Sequence, residues 1–252
     1  MSKNAHHSRE ELLLAMYHAM LEKLGPSAWW PASSPLEVAV GAVLTQNTSW
    51  VNVDKALNLL RAEGFLGGGK NEAEAVDCDD ACVAKRDAIY GKAMLEASRE
   101  TLEFCLRPSG FFRLKADRLT ALLRFLDDTC GSDFRELGPD AGWSTHALRE
   151  ALLQIKGIGP ETADSIVLYA AGHPSFVVDA YTRRIFSRHG LVPEDVWYDD
   201  LQAFFMDVLD PHVGLFNEYH ALIVRVAKDF CLKGKPRCGD CPLQDFLEHG
   251  QV

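Results

Sequence analysis

The most informative segment of the chain is "LLQIKGIGPETADSIVLYAAG", from Leu152 to Gly172. Its apolar spacing predicts one amphipathic helix before the turn Gly157–Gly159 and a second helix that begins at Pro160. Two glycines permit a very tight turn and leave the backbone N–H groups unobstructed. Because the next helix starts at once, its free N–H groups and its dipole can hold a phosphate oxygen without any net positive charge. The stretch therefore favours a helix-hairpin-helix over an ordinary corner between two helices.

The remainder of the chain predicts a soluble, all-α protein. It has 252 residues, 47% hydrophobic and 25% charged, which is room for one large domain or two small ones. No apolar run reaches the length of a membrane span, and the N-terminus lacks a signal peptide, so we expect a cytoplasmic protein. The formal charge of −10 disfavours a passive binder of polyanions, although binding depends on where the charge lies.

Helical periodicity recurs between Gly- and Pro-containing connections. A capping box at Ser8 predicts the start of the first helix, and residues 35–46 read as a buried helix. Further helices are expected in "VNVDKALNLLRAEG", "KAMLEASRETLEFC", "KADRLTALLRFLDD", "STHALREALLQI", "ETADSIVLYAAG", "AYTRRIFSRHG" and "YHALIVRVAKDFC". Residues 64–85 are expected to be a mobile insertion, in which Cys78 and Cys82 are either two free thiols or metal ligands at helical spacing.

A carboxylate follows the hairpin at the start of a helix. Asp179 comes after an apolar segment in "HPSFVVDAYTRRIF". A carboxylate beside apolar surface is a plausible catalytic group with a tuned pKa. It could instead only cap the helix that follows.

Three cysteines, Cys231, Cys238 and Cys241, crowd into eleven residues near the C-terminus. In a chain with seven cysteines and no secretory features, such clustering favours a metal site over disulfides.

The segments "KGIGPETAD", "VVDAYTRR" and C-x6-C-x2-C together resemble the endonuclease III branch of the helix-hairpin-helix (HhH-GPD) DNA glycosylases. The resemblance runs from about Trp29 to Gln244 and implies two all-α domains with a DNA-binding cleft between them. A six-helix barrel with the hairpin would comprise residues 28–173, interrupted by the insertion at 64–85. Residues 1–27 with 174–252 would form the second domain, which ends in an iron–sulfur cysteine loop.

The resemblance also implies roles for single residues. Asp179 matches the catalytic aspartate, which stabilises positive charge on the sugar or activates water. Gln46 matches the residue that fills the gap left by an extruded base, and Phe111 lies at the position of an apolar wedge. Gln46 could otherwise only cap a helix end, and Phe111 could only pack in the core. The residues expected to contact DNA are Gln46, Phe111, Lys156, Gly157, Ile158, Gly159, Thr162, Arg183 and Arg184, with Lys233, Lys235 and Arg237 as further phosphate contacts.

One departure from the family bears on mechanism. Bifunctional glycosylase/lyases carry a lysine at the hairpin position that is Glu161 here. A glutamate cannot form the imine that precedes strand cleavage, so we expect base removal without AP-lyase activity. A narrower resemblance, to the 3-methyladenine DNA glycosylase of endonuclease III type, agrees with this expectation. It implies a pocket for an alkylated purine, with Trp29, Trp30, Trp50 and Glu161 as the candidate pocket residues, although these tryptophans could simply pack the core.

The cysteine pattern is incomplete relative to this family. Its signature continues with x5-C to complete a [4Fe–4S] site, but the fourth position here is Leu247. Three outcomes stay open: a cluster on three thiolates with solvent, Glu248 or His249 as fourth ligand; zinc bound by three cysteines and His249; or no metal.

The favoured reading is a monomeric, monofunctional glycosylase acting on damaged double-stranded DNA, associated with the nucleoid if the source is bacterial. The alternatives are a bifunctional glycosylase/lyase acting on oxidised pyrimidines and a non-catalytic DNA-binding module.

Overall fold

A computed structural model describes residues 3–27, 29–68 and 79–247, which form helices and turns and contain no β-strand. The predicted all-α class is confirmed. Within these residues the α-helices are α1 (Lys3–Leu24), α2 (Pro35–Leu44), α3 (Trp50–Ala62), α4 (Asp80–Glu96), α5 (Arg99–Leu106), α6 (Phe112–Cys130), α7 (Thr145–Leu153), α8 (Pro160–Ser165), α9 (Ala180–Arg188), α10 (Tyr198–Met206) and α11 (Val213–Asp229). None of the described helices combines the length and the apolar character that a membrane span requires.

The chain divides into two compact units. The central unit is Pro31–His173, and the terminal unit joins Met1–Trp30 to Pro174–Val252.

Helix α2 lies at the middle of the central unit. Its residues from Leu36 to Leu44 are all buried, against α3, α4, α6 and α8. A helix that is apolar on every side must be covered on every side, which is why it becomes the core of the unit. Ser34 caps the start of the helix, because its side chain accepts a hydrogen bond from the Glu37 N–H at 3.3 Å. The helix ends at Leu44, two residues before the predicted end.

Several predicted helix boundaries were wrong, including those of α1, α4 and α5. Helix α1 already runs from Lys3, so Ser8 lies within it and does not start it. The helix expected over residues 92–105 is two helices, because Ser98 has extended backbone and its Oγ accepts from the Thr101 N–H at 3.1 Å, capping α5. The expected insertion at 64–85 ends early, since Asp79 caps α4 by accepting from the Cys82 N–H at 2.9 Å.

The terminal unit is built on an aromatic core. The Phe176 ring stacks on Phe205 with centroids 4.1 Å apart, and Phe176 meets Tyr219 edge to face. The Tyr219 hydroxyl donates to the Leu13 carbonyl at 2.8 Å and so fastens α11 to α1. The sequence reading missed helix α10. Its signals were two acidic residues in the first turn and buried residues Leu201 and Phe205 at helical spacing.

Candidate functional site

The predicted hairpin is present in the central unit. It runs from α7 through a turn to α8, and Ile158 at its tip is buried while Lys156 and the two glycines are exposed. Gly157 has φ +91°, a conformation that side chains disfavour. A Cβ at Gly157 would also lie 2.5 Å from Cγ of Arg118. Glycine is therefore required at this position for both its backbone angle and its small size.

The side chain of Gln46 forms hydrogen bonds with this hairpin. Its Nε2 donates to the Gly157 carbonyl at 3.1 Å and to Thr162 Oγ1 at 3.0 Å, and its Oε1 accepts from Arg118 Nη1 at 2.5 Å. Both amide hydrogens are therefore used, and the orientation of the amide follows from its partners. The side chain does not cap α2, so the alternative reading of Gln46 as a helix-end cap was wrong.

Phe111 is an exposed aromatic residue in a strained conformation. It is 69% exposed, with φ +47° and ψ +32°, immediately before α6. The alternative that Phe111 packs in the core was wrong. An exposed aromatic ring held by left-handed backbone suits the wedge position that the sequence assigned to it.

Lys115 lies beneath this loop, on the first turns of α6. Only 1% of the side chain is exposed, and Nζ donates to the carbonyls of Leu44 at 2.8 Å and Ser109 at 2.7 Å. Burial, together with the nearby Arg118 guanidinium, lowers the pKa of Lys115 to about 8.

The pocket candidates fall in both units. In the terminal unit, Trp29 and Trp30 are half-buried, and their rings meet edge to face with centroids 5.4 Å apart. In the central unit, Trp50 begins α3 and packs against the core, while Glu161 is exposed in the first turn of α8. Trp50 thus has a core role, and its pocket role stays a prediction.

Asp179 caps α9 in the terminal unit. Its Oδ1 accepts from the Thr182 N–H at 2.7 Å and from Thr182 Oγ1 at 2.9 Å, while the Asp179 N–H donates to the same Oγ1 at 3.4 Å. The other carboxylate oxygen, Oδ2, lies 3.6 Å from Nε2 of His220 on α11. Asp179 is therefore a helix cap, as one sequence reading held, and its second oxygen faces a buried imidazole.

The surroundings of Asp179 keep it ionised. Burial alone would raise the pKa of the Asp179 carboxyl, but the His220 imidazole and the two Thr182 donors outweigh burial, so its pKa is lowered from the ordinary 3.8. The Asp179 side chain is only 12% exposed. A charged carboxylate with so little exposure is suited to stabilising positive charge nearby, because little water screens it.

The two predicted arginines differ in their surroundings. Arg183 is exposed, whereas Arg184 donates through Nε to the Cys231 carbonyl at 2.8 Å and through Nη2 to the Ala227 carbonyl at 3.1 Å. Arg184 therefore anchors the end of α11 and the start of the cysteine loop. Contact of Arg184 with DNA stays a prediction, as it does for Arg183.

The three cysteines line one cavity with apolar residues, among them Leu247. Cys231 Sγ accepts from Arg188 Nη1 at 3.3 Å, and Cys241 Sγ accepts from the Leu243 N–H at 3.4 Å. Burial raises the pKa of the Cys241 thiol, and the neighbouring Cys231 and Cys238 add to the rise.

These residues do not fit a four-thiolate cluster. Position 247 supplies a leucine, and within residues 3–27, 29–68 and 79–247 no group of three or more Cys, His, Asp or Glu side chains is arranged to hold a metal ion. Glu248 and His249, the candidate fourth ligands, lie outside the described residues. The cluster expected from the resemblance stays a prediction.

Cys82 is disulfide-bonded, which differs from both readings of this residue, a free thiol or a metal ligand. Cys78 lies outside the described residues.

Sequence reasoning missed the supporting role of three residues, Lys115, Arg118 and His220. Each of these side chains contacts a partner that is distant in the sequence, so the contact cannot be predicted from neighbouring residues. A single charged residue within a helical pattern also looks the same in the sequence whether its side chain is buried or exposed. The one available signal was the position of Lys115, directly before Ala116 and four residues before Leu119 on the buried face of α6.

Known proteins are similar to this chain in sequence and fold. The family model for the HhH-GPD superfamily of base excision DNA repair proteins matches residues 40–211. A Methanocaldococcus jannaschii protein provisionally named as a DNA repair glycosylase is 39% identical over 94% of this chain and 96% of its own length.

Two solved structures share the fold. The 3-methyladenine DNA glycosylase of H. pylori, bound to 1,N6-ethenoadenine, is 31% identical, with a TM-score of 0.67 over 87% of this chain and 97% of its own. An endonuclease III in a non-covalent complex with DNA has a TM-score of 0.69 at 19% identity, over 96% of each chain. The chain belongs to the HhH-GPD superfamily of base excision repair DNA glycosylases.

Proposed function

We propose that this protein is a monofunctional DNA glycosylase that removes an alkylated purine from double-stranded DNA. The observation that carries the proposal is the Asp179 carboxylate, whose side chain is only 12% exposed and whose pKa is lowered, at the start of α9 in a chain whose hairpin bears Glu161 in place of the lyase lysine. The H. pylori relative, a 3-methyladenine glycosylase solved with 1,N6-ethenoadenine, supports a purine of this kind as substrate.

We assign each step of the reaction to particular residues of this chain. The hairpin N–H groups bind a phosphate of the damaged strand, Phe111 separates the base step, and Gln46 occupies the gap that the extruded base leaves. The N-glycosidic bond then breaks, and its electron pair leaves with the base. The ionised Asp179 stabilises the positive charge that develops on the sugar. Water adds to C1′ and gives its proton to the Asp179 carboxylate, which passes it to solvent, and this leaves an abasic site with the strand intact.

A positively charged base simplifies the reaction that these residues must catalyse. A base that already carries a positive charge departs as a neutral molecule and needs no general acid. The enzyme then has to supply only electrostatic stabilisation and a water molecule, and the Asp179 carboxylate can serve both needs. The half-buried pair Trp29 and Trp30 would offer electron-rich rings to such a base.

Neither Lys115 nor Lys156 provides an amine suited to lyase chemistry. Lys115 has the lowered pKa that a Schiff-base nucleophile needs, but it is buried and both carbonyl contacts hold its Nζ. Lys156 is exposed and lies before the hairpin turn, one position from Gly157. Neither occupies the family's lysine position.

The test is a screen of duplexes that each carry one modified base: 3-methyladenine, 1,N6-ethenoadenine or thymine glycol. Release of an alkylated purine, with strand breakage only after alkali, is the expected result. Release of thymine glycol with direct strand breakage would favour the bifunctional alternative. Binding without release of any base would favour a non-catalytic module.

Borohydride trapping should give no covalent adduct with the wild-type protein, because position 161 offers a carboxylate and no amine. The variant Glu161→Lys places an amine at the family's position, and we expect it to give a trapped protein–DNA adduct on abasic DNA. Glu161→Gln is the matched control, since it removes the charge without adding an amine. A wild-type adduct of comparable yield would contradict monofunctional action.

The lowered pKa of Asp179 predicts how the rate of base release falls at low pH. The wild-type rate of release of a cationic base should begin to fall only at a lower pH than expected for an ordinary aspartate, because the pKa of Asp179 lies below the ordinary 3.8. Thr182→Val removes the hydroxyl donor, so the pKa of Asp179 rises and the rate should begin to fall at higher pH. Single-turnover rates from pH 4 to 8 measure the shift, and identical acid limbs would contradict the assignment.

The iron–sulfur cluster implied by the family remains a separate proposal. Iron and acid-labile sulfide in the purified protein, with absorbance near 400 nm, would support it. The reaction above runs entirely through Asp179 and water, so it does not depend on this result.

A further inference from the structure

Lys115 joins two loops that the proposed function uses for base flipping. Lys115 Nζ donates to the carbonyl of Leu44, and Leu44 lies two residues before Gln46 in the sequence. The carbonyl of Ser109, its second partner, lies two residues before Phe111. One buried ammonium group therefore connects the loop of the gap-filling residue to the loop of the wedge residue.

Both carbonyls are suitable partners for a cation. Leu44 is the last residue of α2, where carbonyl oxygens lack partners within the helix and the dipole is negative. Ser109 is itself fully buried, and its hydroxyl donates to the Leu106 carbonyl at 2.8 Å. A buried ammonium group is costly unless its N–H groups are used, so these two bonds fix the position of both loops as well as that of Lys115.

Arg118, one turn further along α6, extends the connection to the hairpin. Its Nη1 donates to Gln46 Oε1, and the Gln46 amide donates to the Gly157 carbonyl. The first turns of α6 thus contact the wedge loop, the gap-filling side chain and the phosphate-binding turn. All of these contacts lie within the central unit.

The wedge needs such support. Phe111 is exposed, and its left-handed backbone is a conformation that a chain adopts only when its surroundings impose it. The Lys115 N–H donates to the Phe111 carbonyl at 3.0 Å, and its Nζ holds Ser109 on the other side of the same loop. Lys115 therefore holds the wedge loop through two hydrogen bonds, one from its backbone N–H and one from its side-chain Nζ.

We propose that Lys115 is a positioning residue, which sets the wedge Phe111 and the gap-filling Gln46 at a fixed separation so that both can enter a duplex from which a base has been extruded. This proposal rests on the proposed function. It concerns recognition of flipped DNA, and it can be measured without any base excision.

The experiment compares two duplexes, one undamaged and one containing a tetrahydrofuran abasic analogue, whose gap is already open. Wild-type protein should bind the abasic duplex more tightly. In Lys115→Met, which keeps the length and apolar stem but lacks the donors, we expect affinity for the abasic duplex to fall on the order of tenfold. Affinity for undamaged duplex should change by less than about threefold, because phosphate contacts dominate there.

Two further variants separate positioning from stability. Lys115→Arg restores the donors and should recover part of the preference for abasic DNA. Leu126→Val alters a buried residue on the same helix, two turns beyond Arg118, and should leave that preference unchanged even where it lowers the melting temperature. All binding is measured well below the lowest melting temperature of the set.

The outcomes are distinguishable. If the wild type prefers abasic DNA and Lys115→Met does so equally, Lys115 is only structural and the positioning proposal fails while the glycosylase proposal stands. If Leu126→Val loses the preference as much as Lys115→Met does, general destabilisation explains the loss, and the positioning proposal also fails. If the wild type shows no preference for abasic DNA and releases no base, the proposed function itself fails.

Discussion

Replacing Asp179 with asparagine should abolish base release while leaving the protein folded. Asparagine caps helices as well as aspartate does, so α9 keeps its start. The negative charge is lost, however, and with it the stabilisation of the developing positive charge on the sugar. We expect the single-turnover rate on 3-methyladenine DNA to fall by on the order of 10²- to 10³-fold or more.

The controls separate charge from structure. Asp179→Asn should bind the same duplex with an affinity close to that of the wild type, and its melting temperature should be nearly unchanged. Asp179→Ala loses both the charge and the cap, so it should be equally inactive and less stable by about 1 kcal/mol. Activity of Asp179→Asn within tenfold of the wild type would overturn the role assigned to Asp179.

The second large effect is expected at the hairpin, where Gly157→Ala should destabilise the central unit and weaken DNA binding. An L-residue at φ +91° is strained by about 1–2 kcal/mol, and the new Cβ would overlap the Arg118 side chain. Moving Arg118 would break its contact with Gln46. A combined loss of about 2 kcal/mol would lower the melting temperature by about 4–8 °C.

Gly159→Ala is the matched control for this prediction. Gly159 has φ −96°, which any residue adopts, and no atom lies within 4 Å of the position that its Cβ would occupy. Its melting temperature should therefore equal that of the wild type. Equal melting temperatures for both alanine variants would show that the strain and the close approach of Arg118 do not constrain the hairpin.

Comparing the two alanine variants also distinguishes an effect on folding from an effect on DNA binding. Gly157→Ala should lose affinity for any duplex, damaged or not, because the distorted turn no longer presents its N–H groups to a phosphate. In Gly159→Ala, any loss of affinity would come from the new methyl group meeting the phosphate backbone. Measuring binding to undamaged DNA beside the melting temperature distinguishes these causes.

Much of the fold could be read locally from the sequence. Helix periodicity, capping residues and glycine conformation depend on neighbours within a few positions, so α2, the hairpin and the start of α9 at Asp179 were all predictable. The boundaries that were wrong depended on single capping residues, such as Ser98, whose signal is weak beside a continuous helical pattern.

Local sequence patterns are sufficient to predict the all-α class, the hairpin and the carboxylate that follows it. The side chains that support these features can be identified only in the folded chain. Gln46 meets Gly157 across 111 residues of sequence, and Lys115 meets Leu44 across 71. A hydrogen bond between distant residues leaves no periodic trace in the chain, because it depends on how whole helices pack. The exposure of Phe111 and the ionised state of Asp179 follow from that packing in the same way, since burial and nearby charge exist only once the chain has folded.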